Sequence, residues 1–514
     1  MTIRLQDWFR HDVADKLEDV VGGPARLRVI VLLAGTLALS SADTATVGAA
    51  AAPLQRSLGI DNTRLGLLVT VSTLVGAVAT MPVGVAVDRH RRTSLLAGAI
   101  VVWSAALVVS AFSVSYLMLV LTRLALGAMV AVAGPAVASL TGDFFAPSER
   151  GRVYGYMLSG ELVGAGAGIL ISGDIAGWFS WRLAFAWLVV PGLALAWAVA
   201  RKLPEPDRGG KSRLRPGARQ IPSAADAPAA PPTDTIVGGA GGEGSAAVAD
   251  EVDRQRIEPH RELVLHSDVD RMPSLRAARY ILSIRTNVLL IVASALGYFF
   301  YAGIRTFAVE YARGRFGMGQ SAATSLLVLI AAGAAIGVLA GGRFADRLIR
   351  RGILAARPFV AGFALLAATA LFLAGLLATA LLVAVPLLFF AAAAYSATNP
   401  ALDAARLDVM QHHLWGRAEA VRTVLRSLLE AAAPLLFGYV SSRLGGSAAG
   451  LSTVAAPGQA VTGSAGLQHT FLIMLAPLAL SALLLLFAAR RTYPRDVATA
   501  VASEQNTSHE PDSR

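Results

Sequence analysis

Apolar runs of about 20 residues recur along this chain near 28–52, 64–87, 95–114, 116–140, 152–174, 183–201, 286–308, 321–342, 358–378, 379–400, 418–441 and 470–489. Each is long enough to cross ~30 Å of hydrocarbon as a helix, where every backbone polar group must find its partner inside the protein. With 55% hydrophobic residues, only 15% charged residues and a mean hydropathy of +0.58 over 514 residues, the apolar surface exceeds what a water-soluble core can hide. The runs fall as six, a linker and six.

The chain repeats itself at one charged turn. Gly84, Asp88, Arg89 and Arg92 follow the second apolar run, and 258 residues on, Gly342, Asp346, Arg347 and Arg350 stand at the same offsets after the eighth. A Gly-led charged turn at one place in both parts of a membrane chain implies a duplicated unit, and duplicated membrane units are chiefly how secondary transporters are built.

The formal net charge of +11 does not imply a nucleic-acid surface, because the arginines sit mostly in loops between apolar runs and are not interleaved with aromatics. Membrane topology accounts for them. With an inner N-terminus, Arg89, Arg91, Arg92, Arg343, Arg347, Arg350, Arg351, Arg490 and Arg491 fall on the cytoplasmic side, and the opposite side holds few, such as Arg56, Arg182 and Arg443. The expectation is a multi-pass protein of the cell membrane with both termini cytoplasmic. There is no cysteine, hence no disulfide framework and no thiolate metal site.

Residues 1–27 lack a signal-peptide core, and Leu5, Trp8, Phe9, Val13, Leu17 and Val20 recur at helical spacing, which predicts an amphipathic helix on the inner membrane surface. The domains expected are a six-helix bundle over 28–202, a mostly disordered cytoplasmic linker over 203–285, a second six-helix bundle over 286–490 and a disordered tail over 491–514. Within the linker, Gly238–Gly244 lacks the strand and the Gly-Lys-Ser of a phosphate loop, and 272–285 patterns as a basic amphipathic helix.

The repeated turn resembles the cytoplasmic signature of the major facilitator superfamily, and the resemblance extends over all twelve runs. Arg91 and Ile349 replace the second Gly of that signature. The resemblance implies an all-α membrane fold of twelve helices in two six-helix bundles related by pseudo-two-fold symmetry. It also implies a conformational latch. A carboxylate can lie against the positive N-terminal end of a helix, so Asp88 is expected near Gly416 and Arg417, and Asp346 near Gly151 and Arg152.

Arg123 and Gly127 resemble a second signature of the family, on its fourth helix. A lone intramembrane Arg is costly and needs a partner. At 1.5 Å per residue, Asp43 lies roughly 22 Å above the cytoplasmic start of the first run and Arg123 about 20 Å above the same surface, so their levels agree. Burial favours a protonated Asp and a neighbouring Arg an ionised one, which makes Asp43 the first candidate for a proton site and Arg123 its regulator. A permanently paired structural Asp and Arg is the alternative. Glu161, a carboxyl near mid-membrane, is a second candidate proton site or a counter-charge for a cationic substrate. Gly155, Gly160, Gly164, Gly166 and Gly168 beside it read as a helix-packing surface. The family's drug/proton antiporters carry Gly-Pro where this chain has Gly168 and Ile169.

In the eleventh run Arg422, Arg426 and Glu430 recur every four residues on one face, which needs an aqueous lining. They are candidates for binding an anionic substrate group, with Glu430 also a candidate for proton coupling. Arg305 in the seventh run is a further substrate candidate, or snorkels to the outer surface. Residues 416–420, Pro434, Gly438, Asp143–Phe145 and Arg150 resemble, more weakly, the spinster branch of the superfamily, which handles lysolipids. That branch has Arg where this chain has Thr44, and Glu where it has Val130.

These readings converge on a proton-coupled secondary transporter, in the export direction, of a small organic amphiphilic or anionic solute. The alternatives are a lysolipid carrier, an organic-anion symporter, and a transport-inactive membrane sensor or scaffold. The expected partners are a small-molecule or lipid-like substrate, protons and membrane lipids, for a monomer that binds no nucleic acid. No enzymatic motif is present, His412 and His413 are too few for a metal site, and neither cofactor nor metal is expected.

Overall fold

A computed structural model of the chain describes residues 18, 21–145, 147–206, 214–215, 217–218, 252, 254–265, 273–349, 351–411, 414–445 and 462–508. The expected N-terminal amphipathic helix, apart from its last few residues, and the Gly238–Gly244 cluster lie outside them. The described residues are helical, without strands, and include twelve helices long and apolar enough to cross a membrane. They divide into two compact units, one of residues 1–54 and 71–240, the other of residues 55–70 and 241–514.

In chain order the first part holds α1 (Pro24–Ala49), α2 (Ala51–Leu58), α3 (Asn62–Arg89), α4 (Arg92–Ala111), α5 (Tyr116–Phe144) and α6 (Pro147–Ala167). A π turn over Gly168–Ser172 carries α6 into α7 (Gly173–Trp178), followed by α8 (Trp181–Ala186) and α9 (Val189–Lys202). The second part holds α10 (Ser274–Ser283), α11 (Arg285–Phe316), α12 (Gln320–Ile349), α13 (Ala356–Leu377), α14 (Leu381–Asp408), α15 (Trp415–Arg443), α16 (Thr462–Arg491) and α17 (Tyr493–Ser508).

Lipid tails are as apolar as leucine, so packing between these helices relies on close backbone approach at small residues. In the first unit Gly160, Gly164 and Gly168 lie against Ala34, Ala38 and Ala42 of α1, where an added Cβ would come within 2.8, 2.1 and 2.5 Å of its nearest neighbour. Gly155 and Gly166 face open space, so three of the five small residues make the packing surface. In the second unit Gly333, Gly337 and Gly341 of α12 lie equally close to the backbone carbonyls of Phe389, Ala393 and Ala397 on α14.

The linker and tail differ from their composition. Leu203 and Leu214 are buried, the Leu214 N–H donates to the Phe144 carbonyl at 2.8 Å, and the Gly217 N–H donates to Gly22 at 2.8 Å, seating this stretch on the first unit. The tail, expected to be disordered from 491, forms α17 over Tyr493–Ser508, with Tyr493, Asp496, Val497 and Ser503 buried. The carboxyl of Asp496 accepts from the Thr286 N–H at 2.8 Å and so caps α11, which has no side-chain cap of its own. Residues 260–265 run alongside it, His260 and Leu265 donating their N–H groups to Thr499 and Ser503. Polar residues are buried here because backbone donors meet them, which composition cannot register.

Candidate functional site

In the first unit a guanidinium of Arg123 donates to Asp43 at 3.1 Å, joining α5 to α1. The two are 2% and 5% exposed. Arg123 also lies over the ring of Phe185, 4.5 Å from its centroid, and its Nη2 meets no hydrogen-bond acceptor among the described residues. A single carboxylate and a ring face thus hold a buried cation that retains donor capacity, so protonating Asp43 would leave Arg123 with the ring alone. One turn on from Asp43, Thr46 bonds the Ser172 hydroxyl at 2.7 Å, and Trp187 donates to the same hydroxyl at 2.8 Å. Glu161 projects from an exposed position on α6.

The second unit gathers a different group. Glu430 on α15 stands 3.6 Å from Arg305 of α11 and 4.0 Å from Arg426 of its own helix. Arg305 therefore turns to a carboxylate inside the unit, which corrects the snorkelling reading. Arg426 lies over the ring of Tyr298 at 4.3 Å and Arg305 over that of Tyr301 at 5.9 Å. Tyr301 in turn stacks on Tyr395 of α14, with centroids 6.0 Å apart and planes 13° from parallel. Arg422 is buried one turn before Arg426. The tyrosines were missed in the sequence, although Tyr298, Tyr301 and Arg305 recur at spacings of three and four and therefore share a face of one helix. Tyr395 comes from α14 and carries no local signal.

A second missed feature occurs in duplicate. Arg92 at the start of α4 pairs with Asp143 at the end of α5, and Arg357 at the start of α13 pairs with Asp408 at the end of α14. Each pair spans 51 residues, and one is offset from the other by 265. Each takes a further partner from the segment after its unit's last membrane helix: Glu205, 2.8 Å from Arg92, and the hydroxyl of Tyr493, which donates to Asp408. Arg92, expected in the latch, is 1% exposed and fully engaged within the first unit, donating also to Ser139 and the Pro206 carbonyl.

Glu205 also accepts from the Thr93 N–H at 2.9 Å and hydroxyl at 2.8 Å, so it occupies the positive N-terminal end of α4. Burial disfavours its charge, but the bonds from Thr93 and Arg92 outweigh burial and hold its carboxyl below the ordinary range. A carboxyl with a lowered folded-state pKa stabilises the protein above its unfolded value of 4.5 and loses that contribution as pH falls through the folded value. Glu205→Gln is therefore expected to lower the thermal midpoint in detergent by a constant amount from neutral pH down to about pH 5, with the difference vanishing in stronger acid. A difference independent of pH throughout would contradict this assignment.

Of the remaining latch residues, Gly84, Asp88 and Arg89 lie in the last turns of α3 and Gly342, Asp346 and Arg347 in those of α12. Arg347 is exposed. The side chains of Asp88, Arg89 and Asp346, and all of Arg350, lie outside the described part, as do those of Arg152 and Arg417.

The sequence model described as Major Facilitator Superfamily matches residues 33–434, and the chain belongs to that family. It is similar to the hexuronate transporter of Bacillus subtilis, 28% identical over 174 residues, covering 34% of this chain and 41% of that protein. It is also similar to the probable anion transporter 3, chloroplastic, of Arabidopsis thaliana, 30% identical over 152 residues, covering 29% and 30%. The chain thus spans less than half the length of the curated relatives it matches. A solved bacterial homolog of the human lysosomal transporter Spinster, inward-facing and occupied, shares the fold with a TM-score of 0.69 at 19% identity, over 92% of this chain and 98% of that one. The protein is a multi-pass membrane protein of this fold.

Proposed function

We propose that the protein is a proton-linked carrier of a small organic anion, working by alternating access. The observation that carries this reading is the cluster of Arg305, Arg426 and Glu430 walled by Tyr298, Tyr301 and Tyr395. Guanidinium groups bind carboxylates in planar, two-point fashion, and ring faces accept the apolar or unsaturated body of a solute. Glu430 occupies the place a substrate carboxylate would take. A proton on Glu430 releases the arginines, so proton and anion bind together, and co-transport is the mode this linkage favours. The hexuronate and anion transporters among the relatives support an anionic substrate.

In the first unit Asp43 carries the transported proton and Arg123 sets its affinity for it, through the competition between burial and a neighbouring cation. Asp88 and Asp346 serve as latches of the state closed toward the cytoplasm, and both termini are cytoplasmic.

Proteoliposomes with an internal pH dye, offered hexuronates, aromatic carboxylates or lysolipids from outside, test the proposal. Co-transport is expected to acidify the lumen as the anion enters, and Arg426→Gln is expected to weaken that response at least tenfold. Alkalinisation would mean exchange, the basis of the export favoured by the sequence. A response to lysolipids alone would favour the spinster-like reading, and none to any solute the sensor or scaffold.

A further inference from the structure

One cavity belongs to neither ion-pair site. It is a groove of about 930 Å³ in the second unit, at the end of the bundle where α12 and α16 finish. That volume is within the ~300–1,000 Å³ typical of small-molecule sites. Gly341 and Ala397 line its floor, where α12 and α14 touch at their backbones. Phe344, Phe359 and Phe363 form its walls, and the last two stack with centroids 6.3 Å apart and planes 20° from parallel. Phe344 and Phe363 are 53% and 56% exposed, on helices long and apolar enough to cross the membrane.

Two arginines complete it. Arg347, in the last turn of α12, and Arg490, in the last turn of α16, both line the groove and are both exposed. None of the described lining residues is acidic. A soluble anion needs no apolar trough, and an uncharged lipid needs no pair of cations. A trough of phenyl rings with cations at the depth where a membrane helix ends matches a molecule with an acyl chain and an anionic head.

We propose that this groove seats one anionic phospholipid, its headgroup between Arg347 and Arg490 and an acyl chain along Phe344, Phe359 and Phe363. The inference rests on the membrane placement of α12, α13 and α16 and is independent of the transport reading. It gives Arg347 a ligand of its own, beside its place in the repeated turn. Lipid held there lies against the last turns of α12, the helix that carries Asp346.

Native mass spectrometry of the purified full chain, after incubation with palmitoyl-oleoyl phosphatidylglycerol or the matching phosphatidylcholine, tests the site. Wild type is expected to retain phosphatidylglycerol preferentially. Arg347→Gln/Arg490→Gln is expected to reduce that retention roughly 30-fold for the two charges together. The double lysine variant is expected to keep most of it. Ala364→Trp, which fills the trough and keeps both arginines, is expected to lose retention too. If the glutamine pair does not fold, the lysine pair and Ala364→Trp carry the test. Equal retention of the two lipids, or retention unchanged in Ala364→Trp, would overturn the proposal. So would displacement by millimolar inorganic phosphate, which would mark a headgroup site without a lipid seat.

Discussion

Replacing Gly66 or Gly438 with leucine is expected to abolish transport while leaving the protein folded in the membrane. The first turns of α3 pack on the end of α15 within the second unit, so closely that a Cβ on Gly66 would lie 2.0 Å from the Pro434 carbonyl oxygen. A Cβ on Gly438 would lie 2.1 Å from that of Asn62. Hydrogen bonds finish the contact: Asn62 donates to Ser441 at 2.9 Å, and Thr63 to Ser442 at 3.1 Å. The obstacle on both sides is backbone, which a rotamer change cannot relieve. Overpacking of this kind costs ~1–3 kcal/mol or more, and at the upper end ~3 kcal/mol shifts a two-state population by about 150-fold. The wild type has no cysteine, so Ser442→Cys introduces a single reporter. Its thiol is expected to be slow to label in the wild-type background and fast in Gly66→Leu; equal labelling with transport intact would refute the idea that this contact is a gate.

The position of this contact on α15 connects it to the ion-pair cluster. Arg422, Arg426 and Glu430 share a face of α15, and Pro434, Gly438 and Ser442 continue the four-residue spacing along the same helix, each step turned about 40° further round it. Pro434 lacks an N–H and leaves the Glu430 carbonyl without its usual helical donor, which weakens α15 between the two. Glu430 thus lies one turn from this weakened point and two turns from the close contact at Gly438.

Asp43→Asn is expected to abolish proton-driven transport, by at least a hundredfold, while exchange of labelled for unlabelled substrate persists. Asparagine keeps the shape but not the charge, so it also leaves Arg123 buried beside a neutral group. Breaking one side of a buried pair costs ~3–5 kcal/mol, and the single variant is expected to melt earlier. Asp43→Asn/Arg123→Met removes both charges and is expected to regain most of that stability without regaining coupling. If the double variant recovers proton-driven transport, the pair is structural and the proton is carried elsewhere. Exchange and thermal midpoint, measured side by side, separate the two roles.

The sequence carried the fold because hydrocarbon imposes a rule that composition can register: long apolar runs must be helices, and all twelve are found. It carried Asp43 with Arg123 because an intramembrane Arg demands a partner and helix rise fixes its depth. Three kinds of feature escaped. Tyr395 joins Tyr301 from another helix, and no spacing within one helix can announce that. Arg92 with Asp143 and Arg357 with Asp408 are repeated with an offset of 265, out of register with the charged turns, which repeat at 258. The helix at 493–508 is polar in composition, yet Asp496, Thr499 and Ser503 are buried because α11 and residues 260–265 supply donors.

The π turn over Gly168–Ser172 has a consequence for how this gene can vary. An α-helix advances about 100° per residue, and a π turn accommodates one residue more than the α register holds. Removing one residue there would restore regular helix and swing one flank by about that angle. Either Gly160 and Gly164 would leave α1, or Ser172 would leave Thr46 and Trp187. Single-residue deletions between 168 and 172 are therefore expected to abolish transport, whereas substitutions at an exposed neighbour such as Ile171, which leave the register intact, are expected to be silent.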